Sequence, residues 1–161
     1  MSTADLDEDF YSEEEEEEGI FFHSESTDFF LEPASEEKYI SWIAEIVENH
    51  QASLQLLNII FCSDDYLYQM NVDYLGHDTY TDIITFPYSD PLTEPLSGDL
   101  FISVDRVREN AAAFLVAFEE ELSRVMIHGV LHLLGFGDKT PEEAALMREK
   151  ENASLRLLSR T

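Results

Sequence analysis

His128-Gly129-Val130-Leu131-His132-Leu133-Leu134-Gly135-Phe136-Gly137-Asp138 is the stretch of sequence that decides the fold. His128 and His132 are four positions apart, so on a helix both imidazoles leave the same face about one turn from each other. An apolar stripe lies roughly 100° away from them, formed by Leu122, Val125, Met126, Gly129 and Leu133. We therefore predict a helix from about Glu119 to Leu134 that carries both histidines beside its core-facing side. Gly129 lies within the apolar stripe, which predicts a close approach to a sheet.

The predicted helix ends at Gly135-Phe136-Gly137, where two glycines allow positive φ and a sharp reversal, and Asp138 follows at once. The next helix begins after Thr140, because Thr140, Pro141 and Glu143 match a capping box with proline at the first helical position. The carboxylate of Asp138 is thus confined to a short corner near the two imidazoles. We predict a three-ligand metal site of His128, His132 and Asp138, with coordination positions left open for water or a substrate oxygen.

Other interpretations of this segment stay open. A pair of histidines four positions apart is by itself a weak indication of a metal site, since partly exposed histidines near a helix end also suit the helix dipole. Gly129 takes the place of the glutamate that acts as general base in His-Glu-x-x-His metalloproteases, which counts against a protease. Two histidines and an aspartate also match the facial triad of non-haem iron oxygenases, but the helix-borne spacing favours a zinc hydrolase. No residue is assigned as the general base.

The rest of the chain predicts an α+β fold in which a small mixed β-sheet is packed with helices. Strands are expected at residues 20–22 and 29–31, as two short strands or one interrupted hairpin, and at residues 54–62, 82–87 and 98–104. Ser35 and Ser63 are predicted N-caps of two helices, the second over residues 64–72. A further helix is predicted from an apolar stripe of Val104, Val107, Ala111, Phe114, Leu115 and Phe118.

Composition limits the class of protein. The chain has 161 residues and a single cysteine, Cys62, which excludes an internal disulfide and a cysteine-rich zinc ribbon. No apolar stretch approaches the roughly 20 residues that span a bilayer, and the first residues lack the pattern of a signal peptide. We expect a cytoplasmic protein without membrane contact. Residues 1–18 are predicted to be a disordered acidic tail, followed by one domain over residues 19–161.

The net charge is unusually negative. The chain has 35 acidic and 9 basic side chains, which give a net charge of -26 at pH 7 and repel phosphate backbones. Such a surface suits a basic protein partner or a cytoplasm of very high salt, in which self-repulsion is screened. The second alternative predicts that stability rises steeply with added salt.

Three blocks of the sequence resemble one known family. Residues 128–138 resemble the His-Gly-x-Leu-His-Leu-x-Gly-Tyr-x-His signature of the YbeY family, metal-dependent endoribonucleases that act in ribosomal RNA maturation. Thr-Asp-Ile-Ile-Thr-Phe-Pro at residues 81–87 is similar to the family's Thr-Asp-Val-Leu-Ser-Phe-Pro, and Gly-Asp-Leu-Phe-Ile-Ser at residues 98–103 is similar to Gly-Asp-Ile-x-Ile-Ser. The resemblance implies a zincin-like fold with the metal site at the end of a central helix.

The same resemblance implies an activity and partners. It implies that one Zn²⁺ ion, or another divalent metal, binds His128, His132 and Asp138, and that the protein cleaves single-stranded RNA. The implied substrate is ribosomal RNA, in maturation of the 3′ end of 16S rRNA and in ribosome quality control. The implied partner is the small ribosomal subunit, reached through a basic ribosomal protein.

Two residues depart from the family pattern. Asp138 stands where most members have histidine, and an aspartate oxygen also ligates zinc, at about 2.0–2.2 Å. Leu75 stands where many relatives have an arginine thought to contact RNA phosphate, and His77, when protonated, is a candidate substitute. The remaining candidate backbone contacts are Arg106, Arg108, Arg124 and Lys139. Two other functions stay open: a zincin-type hydrolase of another substrate, and a non-catalytic ribosome-assembly factor that uses the metal as a structural clamp.

Overall fold

A computed structural model of the chain describes residues 17–160. Its elements, in chain order, are β1 (Gly19–Glu25), α1 (Pro33–Asn49), β2 (Leu54–Cys62), α2 (Asp64–Leu75), β3 (Ile83–Pro87), β4 (Leu96–Ser103), α3 (Val104–Phe114), α4 (Phe118–Leu133) and α5 (Pro141–Leu158). The predicted α+β class, a small mixed sheet packed with helices, is confirmed. The predicted disordered tail at residues 1–18 falls almost wholly outside the described residues.

The strands form one sheet in the order β1-β2-β4-β3. β1, β2 and β4 are parallel, and β3 runs antiparallel to β4 at one edge. The second half of β2 is almost wholly buried, which agrees with its continuous apolar sequence and with cover on both faces of the sheet. Among residues 17–160, β3 pairs with β4 alone, and α4 packs against both strands.

The main core lies between the sheet and helices α1, α4 and α5. Its largest fully buried side chains include Trp42, Ile43, Leu57, Leu100 and Met126. Across the sheet, a smaller cluster of Cys62, Leu67 and Ile84 lies under α2. All five residues of the predicted apolar stripe on α4 are buried. α4 is therefore held directly on the sheet, as the sequence predicted.

The segment at residues 29–31 was wrongly predicted to be a strand. It is an irregular loop, in which Phe29 packs edge-on against Phe61 and Phe118, with ring centroids 5.0 and 5.6 Å apart. Phe29 and Leu31 pack against the core from this loop, whereas Phe30 is 66% exposed, so the hydrophobicity of the segment says nothing about strand pairing. The helix after this loop begins at Pro33 with Glu32 as its N-cap, and not after Ser35, because proline at the first position already sets helical φ.

Only the first half of the apolar stripe predicted for α3 is buried on that helix. α3 ends at Phe114, because Leu115 adopts a left-handed conformation with φ of +59° and breaks the helix. Phe114 and Leu115 are 61% and 91% exposed, and Phe118 belongs to the following helix. In contrast, the Ser63 cap of α2 and the Thr140 capping box of α5 form as predicted.

Along residues 17–160, the membrane criterion is met nowhere: each helix is too short or too polar to span a bilayer.

Candidate metal centre

Two histidines of α4 lie side by side next to the buried face of that helix. The ring centroids of His128 and His132 are 4.5 Å apart, and the rings are nearly perpendicular. Their side chains are 24% and 27% exposed, so each is partly withdrawn from water. The spacing of four on a helix produces this arrangement, as the sequence predicted.

A tight corner after α4 returns the chain toward the histidines. Gly135 has φ of +105°, and the amide of Phe136 donates to the carbonyl of Leu131 at 3.0 Å. Gly137 was also expected to use positive φ, and this expectation is wrong. A Cβ at position 137 would lie 2.9 Å from Oε1 of Glu143, so a larger residue there would displace the end of that side chain.

The corner brings Asp138 to both imidazoles. Oδ2 of Asp138 lies 3.3 Å from Nε2 of His128 and 3.2 Å from Nε2 of His132. The three potential ligand atoms lie within 4.8 Å of one another. The structure therefore brings together the three residues that the sequence singled out as metal ligands.

Hydrogen bonds on the other side of each ring fix the tautomers. Nδ1 of His128 donates to Oε2 of Glu151 at 2.7 Å, and Nδ1 of His132 donates to the carbonyl of Phe136 at 2.8 Å. A carbonyl and an ionised carboxylate only accept hydrogen bonds, so both Nδ1 atoms carry the hydrogen. In the neutral form of each ring the lone pair is then on Nε2, the nitrogen that faces Asp138. Two imidazole nitrogens and one carboxylate oxygen, oriented in this way, fit Zn²⁺ or a similar divalent ion.

Charges around the site shift the pKa values of two partners in opposite directions. Burial alone would lower the pKa of His128, but the hydrogen bond and charge of Glu151, with the charges of Asp138 and Asp82, raise it above its usual value. Burial alone would raise the pKa of Glu151, but hydrogen bonds from His128 and Arg124 lower it. Glu151 is therefore an ionised acceptor. Burial raises the pKa of Asp82, which also faces His128.

A groove of about 670 Å³ leads to the three residues. It runs along β3, with α4 and the Asp138 corner on one side and the end of α2 on the other. Its lining is mostly uncharged, and it includes Asn71, Leu75, Thr79, Thr81, Thr85, Asp82, His77 and Lys139. Leu75, at the position of the family arginine, therefore lies in the groove itself.

Of the four basic residues proposed to contact RNA, only Lys139 lines the groove. Arg106 binds Asp64 at 2.7 Å and lies over the ring of Tyr80. Arg108 lies over Phe118, and Arg124 binds Glu151 at 3.0 Å. None of these three arginines lines the groove, so their positions do not support the prediction that they contact RNA.

Sequence reasoning missed two acidic residues at the site. Asp82 lies within the Thr-Asp block that resembles the family, and this resemblance was a usable signal. Glu151 belongs to a run of four charged residues, 148–151, which is typical of a solvated helix face. Glu151 nevertheless lies four residues after Met147 and three before Ser154, the helical spacing of the buried face, whereas Glu149 is exposed on the same helix.

Comparison with known proteins identifies the family. The family model described as Endoribonuclease YbeY matches residues 23–159. An endoribonuclease YbeY of Flavobacterium psychrophilum is 49% identical over 127 residues, which are 79% of this chain and 89% of that protein. The endoribonuclease YbeY of Cytophaga hutchinsonii is 48% identical over 141 residues, 88% of this chain and 96% of that protein.

A solved structure has a similar fold. The solution structure of TM1509 from Thermotoga maritima matches with a TM-score of 0.62 and 27% identity, covering 86% of this chain and 88% of that chain. The match to the family model, over residues 23–159, includes the histidine helix and the Asp138 corner. On these grounds the chain belongs to the YbeY endoribonuclease family.

Proposed function

We propose that this protein is a metal-dependent endoribonuclease that cleaves single-stranded RNA, with His128, His132 and Asp138 as the ligands of one Zn²⁺ ion. The observation that carries the proposal is the convergence of the two Nε2 atoms on Oδ2 of Asp138, at 3.3 and 3.2 Å, in an open groove. Membership of an endoribonuclease family supplies the class of substrate.

The residues of the chain prepare the site before any metal binds. α4 fixes the distance between the histidines, and hydrogen bonds to Glu151 and to the Phe136 carbonyl select the ligating tautomer of each. A divalent ion at this position supplies two kinds of chemistry: it polarises a phosphate oxygen and lowers the pKa of water. The groove follows residues of β3, which suits a polymer substrate better than a closed pocket would.

The charge of the groove and its surroundings predicts that RNA alone binds weakly. Apart from the two proposed ligand histidines, His77 and Lys139 are the basic side chains of its lining, and a net charge of -26 repels phosphates from the rest of the surface. We propose that a basic protein of the small ribosomal subunit delivers ribosomal RNA, including the 3′ end of 16S rRNA, to the groove. Complementary charge between the two proteins would speed their encounter, which salt would slow.

Cleavage assays with matched histidine variants test the activity. Zinc-loaded protein is incubated with end-labelled single-stranded RNA of the 16S 3′ end, with the same RNA as a duplex, and with single-stranded DNA. Wild type and His23→Ala, which removes an exposed histidine on β1, are expected to cut single-stranded RNA, and His132→Ala is expected to lose at least about 100-fold in rate. Equal cleavage by His132→Ala, or no cleavage by zinc-loaded wild type, would overturn the proposal.

A second candidate function has one observation in its favour. Leu75 leaves the groove without the cation that many relatives carry, and a non-catalytic ribosome-assembly factor would not need it. Association with the small subunit by a zinc-loaded protein that cuts none of the three nucleic acids would favour this alternative. Cleavage of a peptide or ester panel with RNA left intact would instead favour a zincin-type hydrolase of another substrate.

A further inference from the structure

Glu151 is a buried carboxylate whose two oxygens serve two different partners. Its side chain is 7% exposed on α5. Oε2 accepts from Nδ1 of His128 at 2.7 Å, and Oε1 accepts from Nη1 of Arg124 at 3.0 Å. Arg148 lies farther away, with its Nη1 atom 3.7 Å from Oε1. The carboxylate is thus held in one orientation by groups on both sides.

We propose that Glu151 is a positioning residue of the metal centre, which holds the His128 ring so that the Nε2 lone pair faces Asp138. The role rests on the proposed metal site, because Glu151 touches His128 and not the ligand position. A hydrogen bond from a ligating imidazole to a carboxylate fixes the tautomer and ring orientation and raises the basicity of the ligating nitrogen.

Ion pairing alone does not account for this arrangement. A buried carboxylate is costly unless it is paired, and Arg124 already provides a partner of opposite charge. The second oxygen is nevertheless directed at Nδ1 of His128, on the side of the ring away from Asp138. This is the contact that leaves Nε2 free to ligate.

α5 supports both histidines through adjacent residues. Next to Glu151, Lys150 places its Nζ atom 4.8 Å from the centroid of the Phe136 ring. The carbonyl of Phe136 in turn accepts from Nδ1 of His132. The helix after the Asp138 corner therefore contacts His128 directly and the residue that holds His132, Phe136.

The substitution Glu151→Gln gives a sharp test because Arg124 decides how the amide turns. Arg124 only donates hydrogen bonds, so it attracts the amide oxygen and leaves the NH₂ group facing His128. Nδ1 of His128 must then accept, which moves the ring hydrogen to Nε2 and blocks ligation. In the double variant Arg124→Gln with Glu151→Gln, the amide at position 151 is free to turn its oxygen toward His128.

The measurement is the zinc dissociation constant of the full chain, by competition with a chromophoric chelator, beside the thermal midpoint of the metal-free protein. Glu151→Gln is expected to weaken zinc binding about 10- to 100-fold. Glu149→Gln, the same change at an exposed position of α5, is expected to leave the constant unchanged. Arg124→Gln is expected to lower the thermal midpoint with little change in zinc binding, and the double variant to recover part of the affinity that Glu151→Gln loses.

Failure of the Glu151 role and failure of the proposed metal site give different results in these measurements. Zinc binding by Glu151→Gln equal to wild type, with a loss of stability like that of Arg124→Gln, would show a structural role only and overturn the inference. Wild-type protein that binds no divalent ion would overturn the proposed metal site and this role with it. If Glu151→Gln does not fold, Glu151→Asp keeps the charge but withdraws the oxygen from Nδ1, and unchanged zinc binding in that variant would overturn the inference.

Discussion

Gly129 lies so close to Leu100 that a Cβ at position 129 would be 2.8 Å from Cδ2 of Leu100. Cδ1 of Ile83 would be equally crowded, at 2.7 Å. The glycine therefore lets α4 approach strands β3 and β4 directly. This contact sets the height of the helix above the sheet and, with it, the position of both histidines beside the groove.

We predict that Gly129→Ala lowers the free energy of unfolding, because overpacking a core costs about 1–3 kcal/mol, whereas alanine returns only about 1 kcal/mol of helix propensity. Gly98→Ala should cost more. A Cβ at Gly98 would lie 2.8 Å from the backbone oxygen of Phe86, which cannot rotate away as a leucine side chain does. Urea unfolding measures the free energy of unfolding of both variants. A Gly98→Ala protein more stable than Gly129→Ala would contradict the expected order.

The elements that the sequence predicted well are those set by local signals. β2 has the predicted bounds, the Ser63 cap begins α2, and the Thr140 capping box begins α5. Each depends on residues within a few positions of one another. Phe29 and Leu115 were misassigned because their states depend on distant packing and on one backbone torsion, which apolar periodicity does not encode.

The residues of the candidate site also divide into those predicted by local spacing and one placed by tertiary packing. His128, His132 and Asp138 lie within one helix and the corner after it, so spacing alone predicted that they meet. Glu151 reaches His128 from 23 positions away, through the packing of α5 on α4. Helical spacing places Glu151 on the buried face with Met147, but its contact with His128 is set by the tertiary fold.

We predict that Asp138→His keeps zinc binding and Asp138→Ala loses it. Histidine is the residue of the family signature at this position, and its ring nitrogen can replace the carboxylate as third ligand. Alanine leaves only two ligands, and we expect the zinc dissociation constant to rise at least about tenfold. Equilibrium dialysis against zinc measures the dissociation constants of the two variants. Equal affinity in wild type and Asp138→Ala would show that Asp138 is not a ligand.

The buried thiol of Cys62 is predicted to make the fold sensitive to alkaline pH. Burial, with the charges of Asp105, Asp64 and Glu25, raises the pKa of Cys62 from 9.0 to about 12. Above pH 9 the unfolded chain releases this proton while the folded chain keeps it, so stability falls as pH rises toward 12. The contribution is at most about 1.4 kcal/mol per pH unit.

Urea unfolding of wild type and Cys62→Ala at pH 8 and pH 10 isolates this effect, because other groups titrate alike in both proteins. Wild type is expected to lose more stability than the variant between the two pH values. The folded thiol should also react slowly with a thiol reagent at pH 8, since Cys62 is 0% exposed. An identical loss in both proteins would show that the thiol titrates normally in the fold.

Leu75→Arg is predicted to strengthen binding of single-stranded RNA. Leu75 lines the groove and is 44% exposed, so an arginine there reaches solvent without burying its charge. One exposed ion pair with phosphate is worth about 1 kcal/mol, or about a fivefold change in affinity. The slope of log affinity against log salt should steepen by roughly 0.7, as one more counterion is released.

Leu92→Arg is the matched control, because Leu92 is 90% exposed and lies outside the groove lining. Fluorescence anisotropy with a labelled RNA across a salt series compares the two, on protein with equal zinc content. An equal gain in both variants would mean that any added positive charge helps this acidic protein, and that the groove has no special place in binding. A gain in Leu75→Arg alone, accompanied by faster cleavage, would show that RNA passes Leu75 on its way to the histidines. It would also show that the missing cation limits the rate of an otherwise complete nuclease.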